Sequence, residues 1–223
     1  MDWLEFMEKE FFTDDLDRRL IEFLGDMDIL NSENDSDKWD NLFKLTREWR
    51  EEYMQSSERL ALSSFFAWNI YMTLAVFSLP DNADTAAMMK KILLSGWLLD
   101  IDGDAQEREC CRSGRFDFEF ECTFKYPGEK CAKLSKSQLV EELREVYDSS
   151  YDRFLYHKKT NGNPEYTAWV EPSYPVFMRG IEKFESMDGL QAVRLNEFEC
   201  DQYVWYFIKG GAKIYFLQIS DFA

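Results

Sequence analysis

The sequence has few of the residues from which most active sites and metal centres are built. It contains a single histidine, His157, and five cysteines without any Cys-x-x-Cys pair. No Gly-x-Ser-x-Gly motif and no glycine-rich phosphate-binding loop occurs. We therefore expect no cofactor and no metal ion, and we find no complete catalytic constellation.

The cysteines have neither the number nor the spacing of a disulfide framework. Cys110 and Cys111 are adjacent, and Cys122, Cys131 and Cys200 are widely separated. An odd, unpatterned set of this kind is typical of reduced thiols in a reducing compartment. The first ten residues are acidic and lack the apolar core of a secretory signal. Both observations favour a cytoplasmic protein.

Positive charge is also scarce. The chain has 26 Lys and Arg against 43 Asp and Glu, which gives a formal net charge of −17. The imbalance is strongest in residues 1–52, where 17 acids and 7 bases leave a balance of −10. Such a field repels nucleic acid and anionic lipid, and it attracts basic proteins. We expect a basic protein partner, no direct nucleic-acid binding and no membrane.

Two sets of carboxylates are the candidate partner-binding residues. One surrounds the first junction between predicted helices, and the other lies on the polar face of a predicted strand. Closely spaced carboxylates repel one another, and a basic partner relieves that repulsion. The first set is Asp26, Asp28, Glu33, Asp35, Asp37 and Asp40, and the second is Asp117, Glu119 and Glu121.

Residues 1–108 are predicted to form a helical bundle of about four helices. Apolar residues recur at helical spacing in three segments, 16–27, 37–55 and 84–98, and Thr13 and Asp84 are the predicted N-caps of the first and last. The run from Leu60 to Leu79 has no charged residue. We interpret it as the buried central helix of the bundle, and its length also permits a membrane-spanning helix.

Residues 109–223 are predicted to form an α+β region with a mostly antiparallel sheet, which could pack with the first region as one unit. Apolar and polar residues alternate strictly over residues 116–126, as in a strand with one wet face. Ser135 and Gln138 form a capping-box pattern that opens a helix. A short strand is predicted at 166–170, a helix at 173–187 and a strand at 190–195.

The chain is predicted to end in a β-hairpin at the centre of the sheet. Two β-prone runs, 203–208 and 212–219, are joined through Gly210 and Gly211, which suit a two-residue hairpin turn. That turn would place Trp205 opposite Phe216. Both faces of the hairpin are apolar, so we expect it to be covered on both sides.

The best catalytic candidate is the segment Trp97-Leu-Leu-Asp-Ile-Asp-Gly-Asp104. Its carboxylates at alternate positions, Asp100, Asp102 and Asp104, could gather Mg²⁺ or Ca²⁺. The segment resembles the first motif of haloacid-dehalogenase-type phosphatases, an apolar strand that ends in Asp-x-Asp-Gly. The resemblance implies Asp100 as the nucleophile and Asp102 as the acid/base.

The acidic surface, together with the lack of a complete catalytic set, favours a non-enzymatic binding protein. Small acidic proteins without an active site are often inhibitors, as toxin-neutralising immunity proteins are. Our leading hypothesis is an immunity-type inhibitor that covers the active-site surface of a basic toxin or nuclease. The alternatives are a metal-dependent hydrolase or phosphatase that uses Asp100, Asp102 and Asp104, and a membrane-associated protein inserted through residues 60–79.

Overall fold

A computed structural model of the chain describes residues 2–13, 15–25, 34–62, 69–79, 84–103, 124, 131–160, 164–195 and 203–222. The chain divides into two compact units. The helical unit comprises Met1–Ser56 and Pro80–Lys130, and the sheet unit comprises Ser57–Leu79 and Cys131–Ala223. The boundary therefore differs from the expected division after residue 108, because residues 57–79 belong to the sheet unit.

The helical unit contains α1 (Trp3–Glu10), α2 (Leu16–Gly25), α3 (Asp35–Leu45), α4 (Arg47–Ser56) and α5 (Thr85–Gly103). The carboxylate of Asp84 accepts a hydrogen bond from the backbone N–H of Ala87 at 3.1 Å, so the predicted N-cap of α5 is confirmed. The helix predicted over residues 37–55 is interrupted at Thr46. The Thr46 hydroxyl donates to the carbonyl of Leu42 at 2.7 Å, and α3 ends there.

Aromatic side chains form the core of the helical unit. The Trp39 and Trp97 rings lie 5.7 Å apart, and Trp97 meets Phe124 edge-on at 5.1 Å. All three are almost fully buried. Edge-to-face and tilted pairs add stability beyond the burial of apolar area. The apolar periodicity that predicted these helices therefore marks core positions.

The sheet unit is built on six antiparallel strands in the order β1-β2-β6-β5-β4-β3. The strands are β1 (Ser57–Leu62), β2 (Asn69–Ser78), β3 (Ala132–Leu134), β4 (Gln191–Arg194), β5 (Tyr203–Gly210) and β6 (Lys213–Phe222). Three helices, α6 (Lys136–Thr160), α7 (Pro164–Val170) and α8 (Ser173–Ser186), share a hydrophobic core with one sheet face. The predicted α+β class, with an antiparallel sheet that ends in a C-terminal hairpin, is confirmed.

The helix predicted from Leu60 to Leu79 is wrong, because the described parts of that segment form β1 and β2. The two strands pair from Ser57↔Ala75 to Leu62↔Ile70, and β2 also pairs with β6. A central strand can be apolar on both faces, and an uncharged run of this kind does not distinguish strand from buried helix. Among the described residues no helix combines the length and apolarity needed to cross a bilayer.

The strand predicted over residues 166–170 is also wrong, because these residues belong to the helix α7. Pro164 is the first residue of that helix, where its missing N–H and fixed φ are tolerated. The strand predicted over residues 116–126 lies outside the described residues except for Phe124, which is helical.

The capping box of α6 is confirmed. The Ser135 N–H donates to the Gln138 side chain at 2.9 Å, and the Gln138 N–H donates to the Ser135 hydroxyl at 3.2 Å.

The C-terminal hairpin is in the predicted place but not in the predicted register. β5 and β6 are inner strands, and residues on both of their faces are buried. Phe207, not Trp205, lies opposite Phe216, and Gly210 pairs with Lys213. Gly211 supplies the positive φ (60°) of the turn. Gly210 is the last residue of β5, and a Cβ there would overlap the Sδ of Met187.

Candidate partner-binding surface

Three of the nine predicted partner-binding residues lie on α3. Asp35 and Asp37 occupy its first turn, where negative charge stabilises the positive end of the helix dipole. Asp35 is 3.5 Å from the Nζ of Lys38. Asp37 and Asp40 are exposed. Part of the charge at this junction therefore has a local structural cause, independent of any partner.

The other predicted residues fall outside the part of the chain that the structure describes. They are Asp26, Asp28, Glu33, Asp117, Glu119 and Glu121. Of the predicted set, the structure thus places only Asp35, Asp37 and Asp40, on one short helix.

A second group of carboxylates forms an acidic stripe along α6. It consists of Glu141, Glu145, Asp148 and Asp152, spaced i, i+4, i+7 and i+11, so that all four lie on one side of the helix. Each is exposed. Within the described residues, none of the four makes an ion pair or a hydrogen bond.

Packing on the opposite side of α6 holds the acidic stripe in place. Leu139, Leu143 and Phe154 are at most 1% exposed and belong to the core of the sheet unit. Ser150 is fully buried, and its carbonyl accepts a hydrogen bond from the Tyr174 hydroxyl at 2.9 Å. The acidic stripe therefore projects from a helix whose orientation is fixed before any partner binds.

Glu142, on the same helix, differs from the acidic stripe because its carboxylate is paired within the protein. Its two oxygens accept from the Arg194 guanidinium at 2.9 Å and from the Tyr206 hydroxyl at 3.1 Å. Burial, and then the neighbouring Glu142 charge, raise the pKa of the Tyr206 phenol well above its ordinary value. Glu142 thus ties α6 to β4 and β5, whereas the acidic stripe makes no such connection.

A groove of about 560 Å³ runs beside the acidic stripe, between α6 and α8. The Arg144 guanidinium and the Glu185 carboxylate form a 2.8 Å ion pair across it. Four carboxylates and two cations line the groove, so its walls have an excess of negative charge. The lining residues are Lys136, Ser137, Val140, Glu141, Arg144, Glu145, Asp148 and Glu185.

The acidic stripe costs the isolated protein stability. Carboxylates one helical turn apart are about 6 Å from each other, which corresponds to about 0.7 kcal/mol of repulsion in bulk water. Measured like-charge pairs at this spacing destabilise a helix by about 0.2–0.5 kcal/mol each. Cations from a partner would reverse the sign of these terms. The stripe is therefore suited to binding a basic surface.

Sequence reasoning missed the acidic stripe although the signal was available. The capping box of Ser135 and Gln138 already predicted a helix, with Leu139 and Leu143 on its buried side. On a 3.6-residue period the four acids fall opposite that side. The prediction from net charge instead favoured the N-terminal region, where acidic residues are more numerous along the chain but less regularly spaced.

The catalytic candidates occupy a different kind of element from the one that the phosphatase resemblance requires. Asp100 and Asp102 lie in the last turn of α5, whereas the motif places them at the end of a strand. Asp104 is outside the described residues. No group of three or more His, Cys, Asp or Glu side chains arranged to hold a metal ion occurs among the residues that were placed.

The surroundings of Cys131 and His157 account for both residues without a catalytic role. The Cys131 thiol donates to the carbonyl of Leu195 at 3.4 Å, and burial raises its pKa to about 12. It is therefore protonated, and unreactive as a nucleophile, at neutral pH. His157 lies in the last turn of α6 beside Lys158 and Lys159, where positive charge is favourable, as the sequence predicted.

Comparison of the chain with known protein families, with characterised proteins and with solved structures gives no match.

Proposed function

We propose that this chain is a non-enzymatic acidic binding protein of the immunity type, which neutralises a basic toxin or nuclease by covering its active-site surface. One observation carries the proposal. The acidic stripe of Glu141, Glu145, Asp148 and Asp152 is exposed, lies on one side of a firmly packed helix, and has no ion-pair partner within the described residues.

The arrangement supports fast and specific association. A net charge of −17 attracts a cationic partner over distances up to the Debye length, about 8 Å at physiological ionic strength. Because α6 is held by its buried side, its backbone need not become ordered on binding, and only the exposed side chains lose conformational freedom. Charge complementarity of this kind mainly raises the association rate and excludes partners of the wrong sign.

The carboxylates predicted from the sequence are proposed as further contacts on the same partner. They form three sets of three, namely Asp35, Asp37 and Asp40 on α3, then Asp26, Asp28 and Glu33, then Asp117, Glu119 and Glu121. Neutralising any one set to Asn or Gln changes the net charge from −17 to −14. The sets can therefore be compared at constant total charge.

The experiment uses the wild type and two triple variants of equal net charge as bait for proteins from the native host at 50 mM and 500 mM NaCl. The test variant is Glu141→Gln, Glu145→Gln, Asp148→Asn. Its control is Glu58→Gln, Glu182→Gln, Asp188→Asn, which removes three exposed charges elsewhere in the sheet unit. We expect a basic protein that the wild type and the control retain at low salt, and that the test variant retains at least tenfold less.

Two results would contradict the proposal. One is the absence of any basic protein among those retained at low salt. The other is a captured basic protein that the test variant and the control retain equally, because binding would then follow total charge and not the acidic stripe. Far-UV circular dichroism of each variant shows whether its helices are intact.

A further inference from the structure

Exposed aromatic surface is concentrated at one place in the sheet unit. Among the described residues the large hydrophobic side chains that are about half exposed are Met54 (50%), Tyr156 (54%) and Trp169 (52%). The last two belong to one chain of rings, in which successive centroids are 6.2–6.4 Å apart. We call this chain the aromatic patch, and its members are Tyr156, His157, Tyr166, Trp169 and Tyr71.

Each of the two exposed rings follows a carboxylate on its own helix. Asp152 precedes Tyr156 by four residues on α6, and Glu165 precedes Trp169 by four residues on α7. Side chains four apart on a helix are neighbours, about 5–6 Å between their Cβ atoms. Both carboxylates are exposed. The same combination, a carboxylate next to an aromatic face, therefore occurs twice on this surface.

We propose that the aromatic patch anchors arginine side chains of the basic partner. A guanidinium can lie flat on the ring of Trp169 or Tyr156 while its N–H groups donate to the adjacent carboxylate. A lysine ammonium can also lie near a ring and a carboxylate, but it is a compact point charge without a planar face that stacks on the ring. Tryptophan, tyrosine and arginine are also the residues that most often dominate interface energetics. This inference rests on the proposed function, and it names the partner's chemistry at a specific surface.

Basic side chains near the aromatic patch limit how much net charge contributes to the binding of a cation there. The Lys158 Nζ forms a 2.7 Å ion pair with Glu171 and also lies 5.7 Å from the centre of the Phe154 ring. Arg153 and Lys159 are exposed on α6 on either side of Tyr156. These cations offset much of the local negative charge. A preference for a cation at the patch therefore has to come from stacking on the rings, which distinguishes arginine from lysine.

The probes are fluorescein-labelled hexa-arginine and hexa-lysine, followed by fluorescence anisotropy with the full chain at 150 mM NaCl. We expect hexa-arginine to bind more tightly. Trp169→Ala and Tyr156→Ala should each weaken hexa-arginine binding about two- to fivefold, the range for one exposed cation–π contact. Hexa-lysine should change less than twofold. Met54→Ala removes an equally exposed side chain from the helical unit and should alter neither peptide.

The inference would be overturned if Trp169→Ala and Tyr156→Ala weakened the binding of both peptides to the same extent, or weakened the binding of neither. Trp169→Tyr keeps an aromatic face and should retain the arginine preference, so a folding defect in Trp169→Ala is recognisable. The acidic-stripe variant should weaken both peptides alike. If a captured basic partner depends on the acidic stripe but not on Trp169, the inference fails and the proposed function stands. If the peptides behave as expected but no basic protein is captured, the proposed function fails alone.

Discussion

Gly210 gives a test of the contact between the end of β5 and Met187. It is the last residue of β5 and pairs with Lys213, whereas the sequence placed it inside the turn. Its backbone does not need a positive φ, unlike that of Gly211. The constraint is steric, because a Cβ added at Gly210 would overlap the Sδ of Met187 and lie 3.1 Å from its Cε. We therefore expect Gly210→Ala to be less favourable than alanine at a glycine with open space around it.

Two opposing terms set the size of the effect. The added methyl group displaces the flexible end of the Met187 side chain, and an off-rotamer side chain costs about 0.5–1.5 kcal/mol. Replacing glycine by alanine also restricts the unfolded chain, which stabilises by about 0.4–1 kcal/mol. The expected net loss is at most about 1 kcal/mol. Gly180 is the matched control, since it lies inside α8 with no atom within 4 Å of an added Cβ. Gly180→Ala should stabilise by about 1 kcal/mol.

The measurement is the free energy of unfolding from urea titration, followed by both tryptophan fluorescence and far-UV circular dichroism. A double-mutant cycle with Met187→Ala identifies the cause. If Met187 is the obstacle, Gly210→Ala should cost little or nothing in the Met187→Ala background. Additive effects of the two substitutions, or a Gly210→Ala variant that is stabilised like Gly180→Ala, would refute the contact between Gly210 and Met187.

Three further predictions concern contacts within the sheet unit. Tyr206→Phe removes the hydroxyl that donates to Glu142 and should lower the free energy of unfolding by about 1 kcal/mol in the same titration. Ser135→Ala removes the N-cap of α6 and should cost a similar amount, about 0.5–2 kcal/mol. Burial raises the pKa of the Cys131 thiol from its ordinary value of 9.0 to about 12, so the unfolded chain loses this proton first and stability falls as pH rises from 9 to 12. Thermal melts across that range should fall less steeply for Cys131→Ala, and parallel curves would contradict the assignment.

Local patterns in the sequence were sufficient to predict the elements that have their own capping box, apolar periodicity or run of aromatic residues. The capping box at Ser135 and Gln138 located α6, and apolar periodicity located α2, α5 and α8. The aromatic residues of 203–219 predicted an inner hairpin, because both faces of its strands are apolar. Val204, Tyr206 and Ile208 on one of these faces lie in the core shared with the helices.

Tertiary contacts decided what these patterns left open. The described parts of residues 60–79 carry no charge, which suits an inner strand and a buried helix equally, so only the pairing of β1 with β2 and of β2 with β6 makes them strands. Met187, from another part of the chain, approaches Gly210 at the end of β5, and the sequence pattern does not reveal this contact. The acidic stripe and the aromatic patch likewise follow from which side of α6 is buried and where α7 lies. The sequence alone determined the composition and charge of this surface, and the packing of distant residues determined which charges and rings are presented together.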